Sequence, residues 1–98
     1  MARAEDLAPV ASERQRLDKW LVYARFVKTR SVALDLVEKG RVRINGERVK
    51  RPDRQIARGD VLTMALPHAT LVVRVDDLAE RRGSASDAQA LYVIVQPT

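Results

Sequence analysis

Cysteine is absent from this chain of 98 residues, which excludes disulfides and thiolate metal sites. A single histidine, His68, leaves no second imidazole for a usual zinc site. Only four residues are aromatic, so the core has to be built from Leu, Val, Ile and Ala. No apolar run approaches the ~20 residues that a membrane-spanning helix needs. The opening residues, MARAEDLAPVASE, lack the apolar centre of a secretion signal. These absences lead us to expect a cytoplasmic chain that uses no metal, no cofactor and no membrane. Its length sets one small domain as the default.

What is present in excess is positive charge, and it is unevenly placed. The net charge is +5. Between Arg14 and Arg58 there are 14 Lys and Arg against 5 Asp and Glu, a net of +9, so the rest of the chain carries −4. A chain that gathers its cations this way has polyanions as natural partners.

Residues 1–13 show no periodicity, and Pro9 suits an arm rather than an element; the domain is expected over 14–96. A first helix is expected from about Arg16 to Phe26. Leu17, Trp20, Leu21 and Ala24 recur at helical spacing and make its buried stripe, with Trp20 as core anchor. Arg16, Lys19 and Tyr23 share another face. Asp18 sits in the first turn, where a carboxylate favours the helix dipole. A second helix follows from about Arg30 to Lys39, capped by Thr29 or Ser31, with Ala33, Leu36 and Val37 inward and Gly40 to end it. Lys28, Thr29, Arg30 and Ser31 gather at its start, where free N–H groups already favour an anion.

Arg41 to Ile44 alternates strictly, which places Val42 and Ile44 inward and Arg41 and Arg43 outward. Asn45-Gly46 is the signature of a two-residue hairpin turn, and Glu47 to Lys50 returns as the second strand. Further strands are expected at Val61 to Leu66, Thr70 to Val75 and Tyr92 to Val95. A short helical turn capped by Ser86 or Asp87 precedes the last. Asp76 and Asp77 point oppositely on a strand, so they make a poor acid–base pair.

The ordered pieces RLDKWL, KTRSVA, a Gly-terminated second helix, GRVRING and RGD resemble the S4-type RNA-binding domain, the αL motif, over about Arg14 to Val75. Within it, RLDKWLVYARFVKTRSVA and RRGSASDAQALY are most similar to a ribosome-associated heat-shock family. The resemblance implies an α+β fold: two N-terminal antiparallel helices packed on a small, mostly antiparallel sheet of four or five strands. It implies RNA-binding positions at Arg16, Lys19, Arg25, Lys28, Thr29, Arg30, Ser31, Lys39, Arg41, Arg43, Asn45, Gly46, Lys50 and Arg51. It implies ribosomal RNA or tRNA as ligand, the large ribosomal subunit as partner, and some binding of single strands and DNA. Members of the heat-shock family run on after their Leu-Tyr into a long basic tail; here VIVQPT follows, so contacts through that tail are not expected.

The function expected is therefore non-catalytic RNA binding by a monomer. Two other readings stand beside it. One is a targeting module for an RNA-modifying enzyme such as a pseudouridine synthase, although the lone histidine and scattered carboxylates form no catalytic constellation. The other is a protein-interaction module that uses an exposed strand edge.

Overall fold

The computed structural model describes residues 13–97, so the expected N-terminal arm lies almost wholly outside the described residues. The elements in chain order are β1 (Gln15–Arg16), α1 (Leu17–Tyr23), α2 (Arg30–Glu38), β2 (Val42–Ile44), β3 (Glu47–Val49), β4 (Gln55–Ile56), β5 (Val61–Ala65), β6 (Thr70–Val75), α3 (Ala85–Gln89) and β7 (Tyr92–Pro97).

Both long helices bury the stripe that their spacing predicts. Leu17, Trp20 and Leu21 of α1 are fully buried, as are Ala33 and Val37 of α2. No side chain caps α1. Its first N–H groups are taken instead by the chain returning after β3: Leu17 donates to the Arg54 carbonyl (2.9 Å) and Asp18 to that of Pro52 (3.2 Å). The helix ends earlier than expected because Arg25 turns left-handed, with φ at 66°. The Phe26 and Arg25 N–H groups then close back onto the Leu21 and Val22 carbonyls, the double bond pattern that terminates helices. Thr29 caps α2, its hydroxyl oxygen accepting the Val32 N–H at 3.3 Å. Gly40 ends that helix with φ at 74°, and the Arg41 N–H reaches the Leu36 carbonyl.

The sheet has five strands in the order β3-β2-β5-β6-β7, and every neighbouring pair is antiparallel. The Asn45-Gly46 turn sets the hairpin register, pairing Ile44 with Glu47 and Arg43 with Arg48. Alternation then sends Val42, Ile44, Leu62, Met64, Val73 and Val75 into the core that the helices cover. A separate two-stranded ribbon joins β1 to β4. Two residues per strand carry no periodicity, so this ribbon was not legible from sequence.

The last third of the chain locks onto the first. The Trp20 indole N–H donates to the Asp77 carbonyl at 2.9 Å. Phe26 stacks between Trp20 (centroids 5.9 Å apart) and Tyr92 (4.6 Å). The cap of α3 is Ser84 rather than Ser86 or Asp87. Ser84 and Asp87 exchange side-chain and backbone bonds in a capping box, which puts Asp87 inside the first turn.

Candidate nucleic-acid interface

The interface is built around a carboxylate whose place in the first turn of α1 signals only the helix dipole. Asp18 is fully buried. Its Oδ1 accepts from Arg16 Nε at 3.1 Å and from the Lys19 N–H at 2.8 Å. Its Oδ2 accepts from Arg16 Nη2 at 2.9 Å and from Arg30 Nε at 3.1 Å. Burial pushes this carboxyl up, but the hydrogen bonds from Arg16 and Arg30, the Arg16 charge and the Lys19 N–H together hold it below the usual 3.8. The ion pair thus fixes two guanidiniums from different elements onto one oxygen. Both remain open to solvent on their other edges, with side chains 38% and 51% exposed. Arg30 keeps both terminal Nη groups for a ligand, and the first-turn N–H groups of α2 lie beside it.

The hairpin supplies a second group. Arg43 is exposed on β2 and stands opposite Arg48, with Thr63 on its other side. Like charges directly opposed across strands destabilise a sheet, so this pairing has to be offset by something else. Arg48 lies against the end of α2: a Cβ added at Gly40 would come within 3.1 Å of its Cδ. The alternation from Arg41 to Ile44 points to Arg41 and Arg43, and Arg48 lies outside it on the returning strand. The two-residue turn fixes the register, so the Arg43–Arg48 pairing was available from it.

Other expected residues divide by what already occupies them. Asn45 uses its amide inside the protein: Oδ1 accepts the Val61 N–H at 2.9 Å and Nδ2 donates to Asp60 at 3.2 Å. Asn45 and Gly46 both have positive φ, 51° and 88°, so this pair shapes the hairpin and clips it to β5. The Thr29 hydroxyl is engaged as a cap, while Ser31 is exposed. Arg51 is paired with Asp53, and that hydrogen bond is the main reason the Asp53 carboxyl sits below its usual value. Lys39 pairs with Asp35 one turn away at 3.1 Å. Arg25 donates to the Gly83 carbonyl at 2.8 Å, and Arg82 returns a bond to the Lys28 carbonyl at 3.1 Å. Lys19, Lys28, Arg41 and Lys50 are exposed. Arg14 and Arg54, also unanticipated, share an open groove of about 520 Å³ with Arg51.

Arg16 and Arg30 do not line the groove that Arg25, Lys28, Lys39 and Arg41 share. Arg16, Arg30 and Asp18 occupy one flank of α2. Arg25, Lys28, Lys39 and Arg41 ring a groove on the other, because Val32 in that groove lies ~200° around the helix from Arg30 at ~100° per residue. Among the described residues no group of His, Cys, Asp or Glu is placed to hold a metal, and no helix is long and apolar enough to cross a membrane.

Two helices covering a five-stranded antiparallel sheet, with arginines held at the helix junction and the hairpin, define an S4 domain. The S4 domain family model matches residues 15–62, and the chain belongs to that family. It is similar to the heat shock protein 15 homolog of Aeromonas salmonicida, 46% identical over 77 residues, which are 79% of this chain and 58% of that one. Heat shock protein 15 of Escherichia coli is 42% identical over the same length. The chain thus spans 57–58% of these two relatives. The RQC P-site tRNA stabilizing factor of Listeria monocytogenes is 32% identical over 81 residues, 83% of this chain and 86% of that one. The solved structure of Vibrio cholerae heat shock protein 15, described as trimeric, superposes with a TM-score of 0.79 at 40% identity, covering 85% of this chain and 83% of that one.

Proposed function

We propose that the chain binds structured RNA without catalysing a reaction, and that it does so on the large ribosomal subunit, through ribosomal RNA or tRNA. The observation that carries this is the pair of guanidiniums, Arg16 and Arg30, fixed on one buried carboxylate with their outer edges free. Fixed forks of this kind recognise phosphate oxygens at little entropic cost. Arg43, Arg48 and Lys19 extend the contact, and the turn at Asn45-Gly46 holds the hairpin to meet it. The names of the relatives, a heat shock protein and a factor that stabilises P-site tRNA, support a site of action on the ribosome.

Phosphate readers dominate the surface, so shape and backbone outweigh base sequence. Neutralising ~5–7 phosphates gives a log K against log salt slope of roughly −4 to −6. The deciding experiment is sedimentation of the chain with purified large subunits, with and without RNase treatment. Salt-sensitive and RNase-sensitive co-sedimentation supports the reading. Association that survives RNase favours a protein-interaction module instead.

The finer assignments follow the same reading: a cytoplasmic protein, and a monomer because the concentrated positive charge repels a second copy. Sedimentation velocity showing a single species of 11.0 kDa supports the monomer; a species of three times that mass, as in the Vibrio structure, overturns it.

A further inference from the structure

The groove on the far flank of α2 has a different chemistry from the arginine pair. It encloses about 680 Å³, within the ~300–1,000 Å³ of ligand-binding clefts. Its floor is aliphatic: Val27, Val32 and Leu36 on one wall, Leu66 and Pro67 on the other. Val32 is 49% exposed, and the other large exposed hydrophobics of the described residues all lie on β7. Around this floor stand Arg25, Lys28, Lys39 and Arg41, against one acid, Asp35, which Lys39 already pairs.

A ligand for this groove has to be anionic at its edges and aliphatic at its centre. RNA meets the first requirement but the second only at the rim, where the exposed His68 offers one ring and the aliphatic floor offers none. A base needs a stacking face or hydrogen-bond partners at its edges. Phe26 is committed to the Trp20–Tyr92 cluster. The floor's N–H groups are also spent within the protein: Phe26 on the Leu21 carbonyl, Ala65 on that of Arg41, and Leu66 on that of Ala69. A polypeptide with aliphatic anchors and flanking carboxylates satisfies both requirements, in the manner of an amphipathic segment laid in a groove.

We propose that this groove is a second docking site, for an acidic peptide segment with aliphatic anchors, used alongside the RNA-binding flank. The two sites share α2 but not their contact residues.

The test uses the full chain and a fluorescein-labelled synthetic peptide of about 16 residues, with leucines at helical spacing and glutamates between them. A scrambled peptide, polyglutamate and an RNA hairpin serve as comparisons, all read by anisotropy at moderate salt. The peptide is expected to bind, and Val32→Ser to weaken it about fivefold, as the loss of a half-buried aliphatic contact implies. Leu66→Ser weakens it similarly, with a circular dichroism melt to confirm folding; Val32 is exposed enough that its variant folds regardless. Arg30→Gln should weaken the hairpin and leave the peptide unchanged. The proposal is overturned if the peptide does not bind, or if scrambled peptide or polyglutamate binds as tightly. It is overturned equally if Val32→Ser weakens the hairpin as much as the peptide, which would make the groove part of the RNA path. Failure of the hairpin alone to bind would count against the RNA reading and not against this one.

Discussion

Replacing Asp18 by Asn separates two explanations of the interface that differ in sign. The substitution keeps the shape and one acceptor but removes the charge that holds Arg16 and Arg30. Simple electrostatics predicts tighter RNA binding, since a negative charge beside the ligand is lost. Positioning predicts weaker binding, since the two guanidiniums are released. We expect the second, with affinity falling about tenfold, equivalent to ~1.4 kcal/mol. Stability falls too. Hydrogen bonds to charged groups contribute ~1.5–3 kcal/mol each, and Asp18 accepts three from arginine nitrogens. The arginines are partly exposed, so water screens the pair and rehydrates them once freed, and the net loss is nearer ~2 kcal/mol. A domain of this size then melts ~8–16 °C lower. The pH dependence carries its own sign. The folded carboxyl lies below its ordinary value of 3.8, so its contribution is complete above that value and disappears as pH falls through the lower, folded one. The gap in melting temperature between wild type and Asp18→Asn should therefore be constant from pH 7 to pH 5 and close only below ~3.8. Melts by circular dichroism across that range and filter binding at 15 °C, where both proteins are folded, read the two effects. Tighter RNA binding by Asp18→Asn, or a gap that closes between pH 7 and pH 5, would refute the reasoning.

Three further substitutions follow from the same geometry. Arg25 is left-handed at φ 66°, a conformation that costs a non-glycine residue ~1–2 kcal/mol. Arg25→Gly should melt a few degrees above Arg25→Ala, because both lose the bond to Gly83 and only glycine sheds the strain. Asn45→Ala loses the bonds to Val61 and Asp60 and should cost ~2 kcal/mol in urea unfolding. Arg48→Glu replaces a like-charge pair with an opposite one across from Arg43. It should raise stability by ~0.5 kcal/mol while weakening RNA binding severalfold; unchanged affinity would remove Arg48 from the interface.

How far the sequence could be read depended on whether a feature is local. The apolar stripe of α1, the Gly40 stop and the Asn45-Gly46 turn are set within a few residues, and each stands where spacing put it. Arg25 was hidden because nothing in its side chain signals a left-handed turn. The α3 cap was misplaced because Ser84, Ser86 and Asp87 lie so close that several cap offsets fit. Asp18 was misread for a different reason. Its second arginine is 12 positions away, and no periodicity within α1 reports a bond to another helix. Spacing names the cationic residues one by one, but their division between two flanks of α2 appears only when the helices are packed.

The tie between Trp20 and Asp77, with Tyr92 closing the ring cluster, bears on how the chain folds. Both partners lie beyond residue 62, where the family match ends. The helix pair therefore does not mature independently of what comes later. During synthesis it stays unlatched until Asp77 and Tyr92 have left the exit tunnel. A fragment trimmed to the matched segment would keep Arg16, Asp18 and Arg30 and lose the partners that hold Trp20.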